Sequence, residues 1–370
     1  MFREIKGQDR AIRLLNNALA HNRIAQAYLF YGPEGVGKFT TALYFAMALN
    51  CVAKSEKRPC GVCTSCHKFL EFNHPDLIYV FPTPNIKTTA EGEMKDKSIA
   101  EYNAYIENRK KTPWEKFYFS GSTEIRRESI DLIQKRLEFT QREGNYRVCI
   151  IEDADEMNSS TANSFLKTLE EPPEQTVLIL ITTRMQSLLP TIISRCQLVF
   201  FKPLSHKVIE ELLSAKYLID KPTAKANARI SNGNLEQAIR LTNDTKHISR
   251  NLMVSFIEAA LKSDDQFILN LVSSAKEKFK SELIHDVLAH LALWQNDMAL
   301  LASGRKDITN SDQQELLNQC LERLGNDVDG IVDSLSLIDD WHGKLNGNVN
   351  VMLILINLFN HLKSLYGTRN

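Results

Sequence analysis

Several things are missing from this chain, and each absence narrows what it can be. It has no excess charge of either sign: Lys plus Arg and Asp plus Glu each number 45 in 370 residues. Bulk positive charge is therefore excluded as a grip on nucleic acid, and any such contact has to come from a local patch. Long hydrophobic runs are absent too. The strongest, Val351 to Phe359, is about nine residues, whereas a membrane span needs about twenty. The opening residues Met1-Phe2-Arg3-Glu4 are charged from the third position and lack the apolar core of an export signal. Together these absences predict a cytoplasmic protein with no membrane contact.

Cysteine is scarce and unevenly placed. Four of the seven fall at 51, 60, 63 and 66, while Cys149, Cys196 and Cys320 stand alone. In a chain of this length without an export signal, the cluster reads as a metal signature rather than a disulfide framework. Cys51, Cys60, Cys63 and Cys66 spell C-x8-C-x2-C-x2-C, four thiolates that close a tetrahedral structural zinc site and leave no open catalytic position. A redox pair is the other reading, but no thioredoxin-like context surrounds it. Cys149, inside an apolar run, reads as a small core residue.

What is present points to globular domains with real cores: 43% of residues are hydrophobic and 24% charged, which suits two or three domains. Ala27 to Tyr31 is an apolar strand that runs into Gly32-Pro33-Glu34-Gly35-Val36-Gly37-Lys38-Phe39-Thr40, and a helix follows to Asn50. Gly32, Gly37 and Lys38 match G-x-x-x-x-G-K, with Gly35 as a further glycine, and backbone amides of such a loop cradle di- or triphosphates. One component is lacking. The residue after the lysine ordinarily brings a hydroxyl to magnesium, and here it is Phe39. Thr40 comes one residue late, about 100° further round the helix.

Further apolar runs at Leu77 to Phe81, Val148 to Ile151, Val177 to Thr182 and Leu198 to Phe201 alternate with helical or loop segments. This pattern predicts an α/β domain, a parallel sheet with helices on both faces, over residues 1–203. Residues 51–66 form its cysteine module. The polar stretch 82–120, with a helix around Ile99 to Lys110, reads as a surface insertion. Helices alone follow: a small segment over 204–245, then an all-α domain over 246–370.

The run Val148 to Ile151 delivers Glu152 and Asp153 to its carboxyl end. In nucleotide hydrolases the first such acid positions magnesium and the second polarises the attacking water, usually in the order Asp then Glu. Here the order is reversed, so a carboxylate stands at each place with its reach changed by a methylene. Thr182, ending the next strand, is positioned to orient a water. Arg195, on the helix beyond, reads either as a solvated helix charge or as a cation facing another subunit.

Gly7-Gln8, the glycine loop, the four cysteines, His74-Pro75-Asp76, Lys167 through Pro173 and Ser194-Arg195-Cys196 together resemble the clamp-loader subunits of bacterial DNA polymerase III, an AAA+ family, and its delta-prime branch in particular. The motifs cover residues 1 to about 245. The resemblance implies an AAA+ module with a helical lid, then a collar that joins a hetero-oligomeric ring. It implies that Arg195, flanked by Ser194 and Cys196, is an arginine finger for a neighbouring subunit's ATP. The partners implied are other clamp-loader subunits, the sliding clamp indirectly, and primed DNA through the assembly.

Three departures separate this chain from the hydrolysing members. Phe39 and the reversed acids are two; the third is Glu236, in Gly233-Asn234-Leu235-Glu236-Gln237-Ala238, where motor subunits carry an arginine that senses phosphate. The expectation is therefore a degenerate ATP/Mg²⁺ site (Gly32, Gly35, Gly37, Lys38, Thr40, Glu152, Asp153, Thr182) in a non-hydrolysing subunit. The alternative is a gamma/tau-like ATPase in which Thr40 or a water replaces the missing ligand. A third reading, a zinc-dependent nucleic-acid-binding module, sits poorly with the balanced charge. Lys167 and the start of its helix are a further candidate contact for DNA phosphate.

Overall fold

A computed structural model describes residues 5–54, 57–84, 96–112, 123–138, 142–243, 248–274, 281–305, 308–325, 328–345 and 350–367. The chain divides into two compact units. One runs to Val208 and includes Gly233–Glu236; the other comprises Ile209–Asn232 and everything from Gln237. The segment 204–245, expected as a small domain of its own, is thus shared between them.

The first unit contains α1 (Asp9–Ala20), β1 (Ala27–Tyr31), α2 (Lys38–Asn50), α3 (Thr64–Leu70), β2 (Leu77–Val80), α4 (Asp96–Lys111), α5 (Arg127–Glu138), β3 (Arg147–Ile151), α6 (Ser159–Glu170), β4 (Thr176–Thr182), α7 (Pro190–Ile193) and β5 (Gln197–Phe200). The five strands form one parallel sheet in the order β2-β3-β4-β1-β5. Successive side chains of a strand point to opposite faces, and this splits the core in two. Tyr28, Phe30, Ile150 and Ile179 pack with Leu15 of α1, Leu43 of α2 and Phe69 of α3. Leu29, Cys149, Ile151 and Leu180 pack on the other side with Ile133 of α5 and Phe165 of α6. Burying each large aliphatic or aromatic side chain is worth about 1.5–3 kcal/mol. Because both faces are covered, the inner strands are continuously apolar rather than alternating. The edge strand β5 departs from this, with Leu198 and Phe200 exposed.

Asp76 ties the entrance of β3 to the start of β2. Its carboxylate accepts backbone N–H bonds from Arg142 (2.8 Å), Glu143 (2.9 Å) and Gly144 (2.7 Å), while Asn50 Oδ1 accepts from the N–H of Tyr146 at 2.9 Å. The His74-Pro75-Asp76 motif is therefore a clamp on the loop that launches the acid-bearing strand.

The second unit holds α9 (Lys221–Ile230), α11 (Ile248–Leu261), α12 (Asp265–Ser274), α13 (Ser281–Ala302), α14 (Gln314–Leu324), α15 (Val328–Leu345) and α16 (Val351–Tyr366), with the larger parts of α8 (His206–Lys216) and α10 (Leu235–Asn243). Among the described residues no strand follows β5. Asn350 caps α16 by accepting from the N–H of Met352, and Ile354, Leu355, Leu358, Phe359 and Leu362 form its buried face. These residues pack around Trp294, Phe256 and Leu317 in a single core. No described helix is long and apolar enough to cross a membrane.

Candidate functional site

The glycine loop lies between the end of β1 and the start of α2; all three of its glycines are required by dihedral, and Gly32 and Gly35 by space as well. Gly32, Gly35 and Gly37 have φ of 141°, 64° and 89°. A Cβ on Gly32 would come within 2.1 Å of the Phe201 carbonyl oxygen, and one on Gly35 within 1.7 Å of Asn234 Oδ1. The segment 233–236 is folded against the loop, with the N–H of Leu235 donating to Gly35 O at 3.0 Å. Lys38 is buried, and its ammonium donates to the carbonyls of Gly32 (2.7 Å) and Pro33.

Gly35, Gly37, Lys38, Thr40, Glu152 and Asp153 line one cavity, together with Glu34, Phe39, Thr183, Glu236 and Arg109. Gly32 shapes the turn from outside the lining. Thr182 is turned away: its hydroxyl donates to Asp155 Oδ1 at 2.6 Å and accepts the N–H of Arg184 at 3.0 Å, leaving Thr183 as the threonine at the cavity. Asp153 adopts a left-handed backbone conformation, φ 49°, at the start of a short turn over Ala154–Glu156.

Phe39 is not an idle substitution. Its buried ring stacks with Phe72 (centroids 6.1 Å apart, 6° between planes) and packs against Tyr79 at 5.1 Å. The guanidinium carbon of Arg109 lies 4.5 Å from the ring centroid. Arg109 comes from α4, and its Nη2 donates to Glu152 Oε1. Glu152 Oε2 accepts from the hydroxyls of Tyr79 and, at 3.1 Å, Tyr105. Burial, reinforced by the Glu152 carboxylate, holds the Tyr79 phenol protonated well above its ordinary range. Burial opposes the charge on Arg109, but Glu152 and the two tyrosines outweigh it and keep the guanidinium ionised.

The stretch 82–120 therefore requires correction as a mere surface insertion. Residues 85–95 and 113–120 of it lie outside the described part, but α4 buries Tyr105 and Arg109 against the sheet. Sequence reasoning missed Tyr79, Tyr105 and Arg109. The available signal was the spacing of Tyr105 and Arg109, four apart on one helix face.

The four cysteine sulfurs all lie within 4.8 Å of one another, with Cys51–Cys63 and Cys60–Cys66 at 4.0 Å. Four sulfurs each about 2.3 Å from a common tetrahedral centre would be about 3.8 Å apart, so the cluster can hold a metal ion with small adjustments. Backbone N–H groups of Ala53 and Cys60 point at Cys51 Sγ, and those of Cys63 and Cys66 at the preceding thiols. Burial raises the Cys63 thiol, but the N–H of Cys66, that of Val52 and the neighbouring thiols more than offset it, bringing it down to about 6. Such N–H donors favour the thiolates a metal requires.

Arg195 is exposed beyond α7. It donates to Glu170 Oε1 at 2.5 Å and to the Thr191 carbonyl at 3.0 Å, while Ser194 also bonds Thr191 O. Cys196 packs inward, its thiol pushed up to about 12 by burial. Lys167 lies in the last turn of α6, so it and the helix start do not form one phosphate contact.

A parallel sheet with a phosphate-loop turn after β1, acids at the end of β3 and a helical unit beyond define an α/β P-loop protein of the AAA+ class. Within that class the chain belongs to the DNA polymerase III, delta subunit family, whose model matches residues 7–205. It is 27% identical over 359 residues to the DNA polymerase III subunit delta' of Bacillus subtilis, covering 95% of this chain and 94% of that one. It is also 27% identical over 328 residues to the subunit tau/gamma of Haemophilus influenzae, covering 87% of this chain but only 40% of that relative. A solved DNA polymerase III gamma subunit-related protein from Thermotoga maritima aligns over 96% of this chain and 99% of its own, with 15% identity and a TM-score of 0.41. The chain is thus delta-prime-like along nearly its whole length.

Proposed function

We propose that this protein is a non-hydrolysing, delta-prime-like subunit of the bacterial DNA polymerase III clamp loader. The observation that carries the proposal is the state of Glu152. Both of its oxygens are engaged by Arg109, Tyr79 and Tyr105, and Phe39 replaces the hydroxyl that should share a metal with it. A P-loop enzyme works by holding metal between that hydroxyl and that acid. This pocket supports no such arrangement.

The catalytic contribution then falls to Arg195, acting on ATP held by an adjacent motor subunit. Its pair with Glu170 is half-exposed on both sides, and such surface pairs are worth about 0–1 kcal/mol. The guanidinium can exchange Glu170 for a neighbour's phosphate at little cost. An arginine finger stabilises charge on the transferring phosphoryl by about 10³–10⁵ in rate. The cysteine cluster would hold a structural zinc, residues 204–245 would serve as lid and 246–370 as ring-forming collar. The subunit would reach the sliding clamp and primed DNA through the assembly, in the cytoplasm.

The reading is tested by reconstituting the chain with candidate motor subunits. Arg195→Ala should lower the ATPase of the assembly while leaving assembly intact, and unchanged ATPase would remove Arg195 from the mechanism. The alternative, a gamma/tau-like ATPase, is favoured by the tau/gamma similarity and by Thr40 at the cavity. It predicts robust ATP turnover by the isolated chain that Lys38→Ala abolishes, a result that would sink the non-hydrolysing reading.

A further inference from the structure

We propose that Arg109 is a resident cation standing where a hydrolysing P-loop site places its magnesium ion, so that this pocket is independent of divalent metal. The inference rests on the non-hydrolysing reading and deepens it, by naming the group that replaces the metal and the segment that supplies it.

The donor set of the pocket does not fit Mg²⁺. That ion demands near-ideal octahedral geometry at about 2.0–2.1 Å and is held through carboxylates, waters and phosphate oxygens. Of the two protein groups a P-loop site offers, the hydroxyl after the lysine is gone and the strand acid already has both oxygens engaged. Glu152 Oε1 is taken by Arg109, and Oε2 by the two tyrosine hydroxyls. Glu152, Arg109 and Tyr105 are all buried, so these bonds are not exchanged freely with water. A divalent ion added beside the guanidinium would meet like charge at short range.

The replacement is also built on the other side. A guanidinium is a flat cation with two faces to cover, and Phe39 supplies one by lying under it at 4.5 Å. A serine or threonine there would satisfy a metal but leave that face uncovered. Phe39 and Arg109 are in this sense one exchange: the residue that lost the metal is the residue that seats its substitute. Arg109 is delivered by α4, so this helix of the 82–120 stretch acts as a plug held by charge at the nucleotide-type pocket. Lys38 remains as the cavity's other cation, among Glu34, Asp153 and Glu236.

The test measures the thermal unfolding midpoint of the full chain with ADP as probe, in metal-free buffer and in millimolar MgCl₂ at matched ionic strength. Wild type should show the same midpoint in both. Arg109→Met should melt lower in metal-free buffer and regain part of the loss with Mg²⁺, because a cation can then approach Glu152. Adding Glu152→Gln to that variant should abolish the Mg²⁺ response, and Arg109→Lys should restore metal independence. A Mg²⁺-dependent rise in wild type that Glu152→Gln removes would overturn the inference, as would an Arg109→Met protein indifferent to Mg²⁺. Should Arg109→Met not fold, the wild-type comparison decides without it. A chain that binds Mg²⁺–ADP yet turns over no ATP defeats this inference and leaves the proposed function standing; ATP turnover by the isolated chain defeats the function itself.

Discussion

Replacing Asp76 with asparagine changes one atom and one charge, and its cost can be worked from the bonds. The Asp76 carboxylate is buried and accepts three N–H groups: Arg142 on one oxygen, Glu143 and Gly144 on the other. An asparagine whose carbonyl serves Glu143 and Gly144 turns its NH₂ toward the Arg142 N–H, donor against donor. One orphaned buried donor costs about 1–3 kcal/mol, and the two surviving bonds lose their charge assistance, about 1 kcal/mol each. The expected loss near neutral pH is therefore about 3–5 kcal/mol. The pH dependence follows from the same bonds. Burial pushes the Asp76 carboxyl up, but the three N–H groups outweigh it and hold it below the usual carboxylate range. With the folded value below the unfolded one of about 3.9, the unfolded chain takes up the proton first as pH falls. The stabilisation is thus complete above about pH 5 and is lost as pH drops through the folded value. Urea unfolding followed by circular dichroism, near pH 7 and then in steps toward pH 3, should show Asp76→Asn closing on wild type only in the acid range. An equal gap at both ends, or no gap near neutrality, would refute the assignment of Asp76 as an ionised clamp.

Two further outcomes concern the loop and the cysteines. Gly32→Ala should destabilise by about 2–5 kcal/mol in urea unfolding, since positive φ and a 2.1 Å approach to the Phe201 carbonyl act together. Gly37→Ala, with φ 89° and nothing near its Cβ, should lose only about 1–3 kcal/mol, and equal losses would deny the steric role of Phe201. Elemental analysis of purified protein should find one zinc per chain that Cys66→Ser releases, with lowered stability. Zinc-free protein in which a thiol reagent labels all four cysteines without loss of stability would discard the metal.

Much of the first unit was legible from residues that are local in sequence. A strand, three glycines, a lysine and a helix in succession suit a phosphate-type loop, because the turn needs positive φ and the lysine reaches back over it. Cys51, Cys60, Cys63 and Cys66 sit within sixteen residues, and chain connectivity alone keeps their sulfurs near one another. The buried strands were legible for a similar reason: covering both faces of a parallel sheet makes each run continuously apolar. The division of the segment 204–245 was less so, since it depends on contacts made at long range.

The family's motifs and the anomaly at Phe39 can be read from the residues in order. What the anomaly means depends on which distant residues the fold brings to it. Arg109 stands 70 positions from Phe39 and 43 from Glu152, in a stretch whose polarity reads as solvated surface. A buried arginine is tolerated where a carboxylate neutralises it and an aromatic face covers it, and here both partners come from distant segments. Likewise Thr182 ends its strand as a water-orienting residue would, yet its hydroxyl goes to Asp155. Sequence periodicity reports which side of an element is apolar; it is silent on which partner a buried polar group finds, because that depends on where the sheet brings strand ends together.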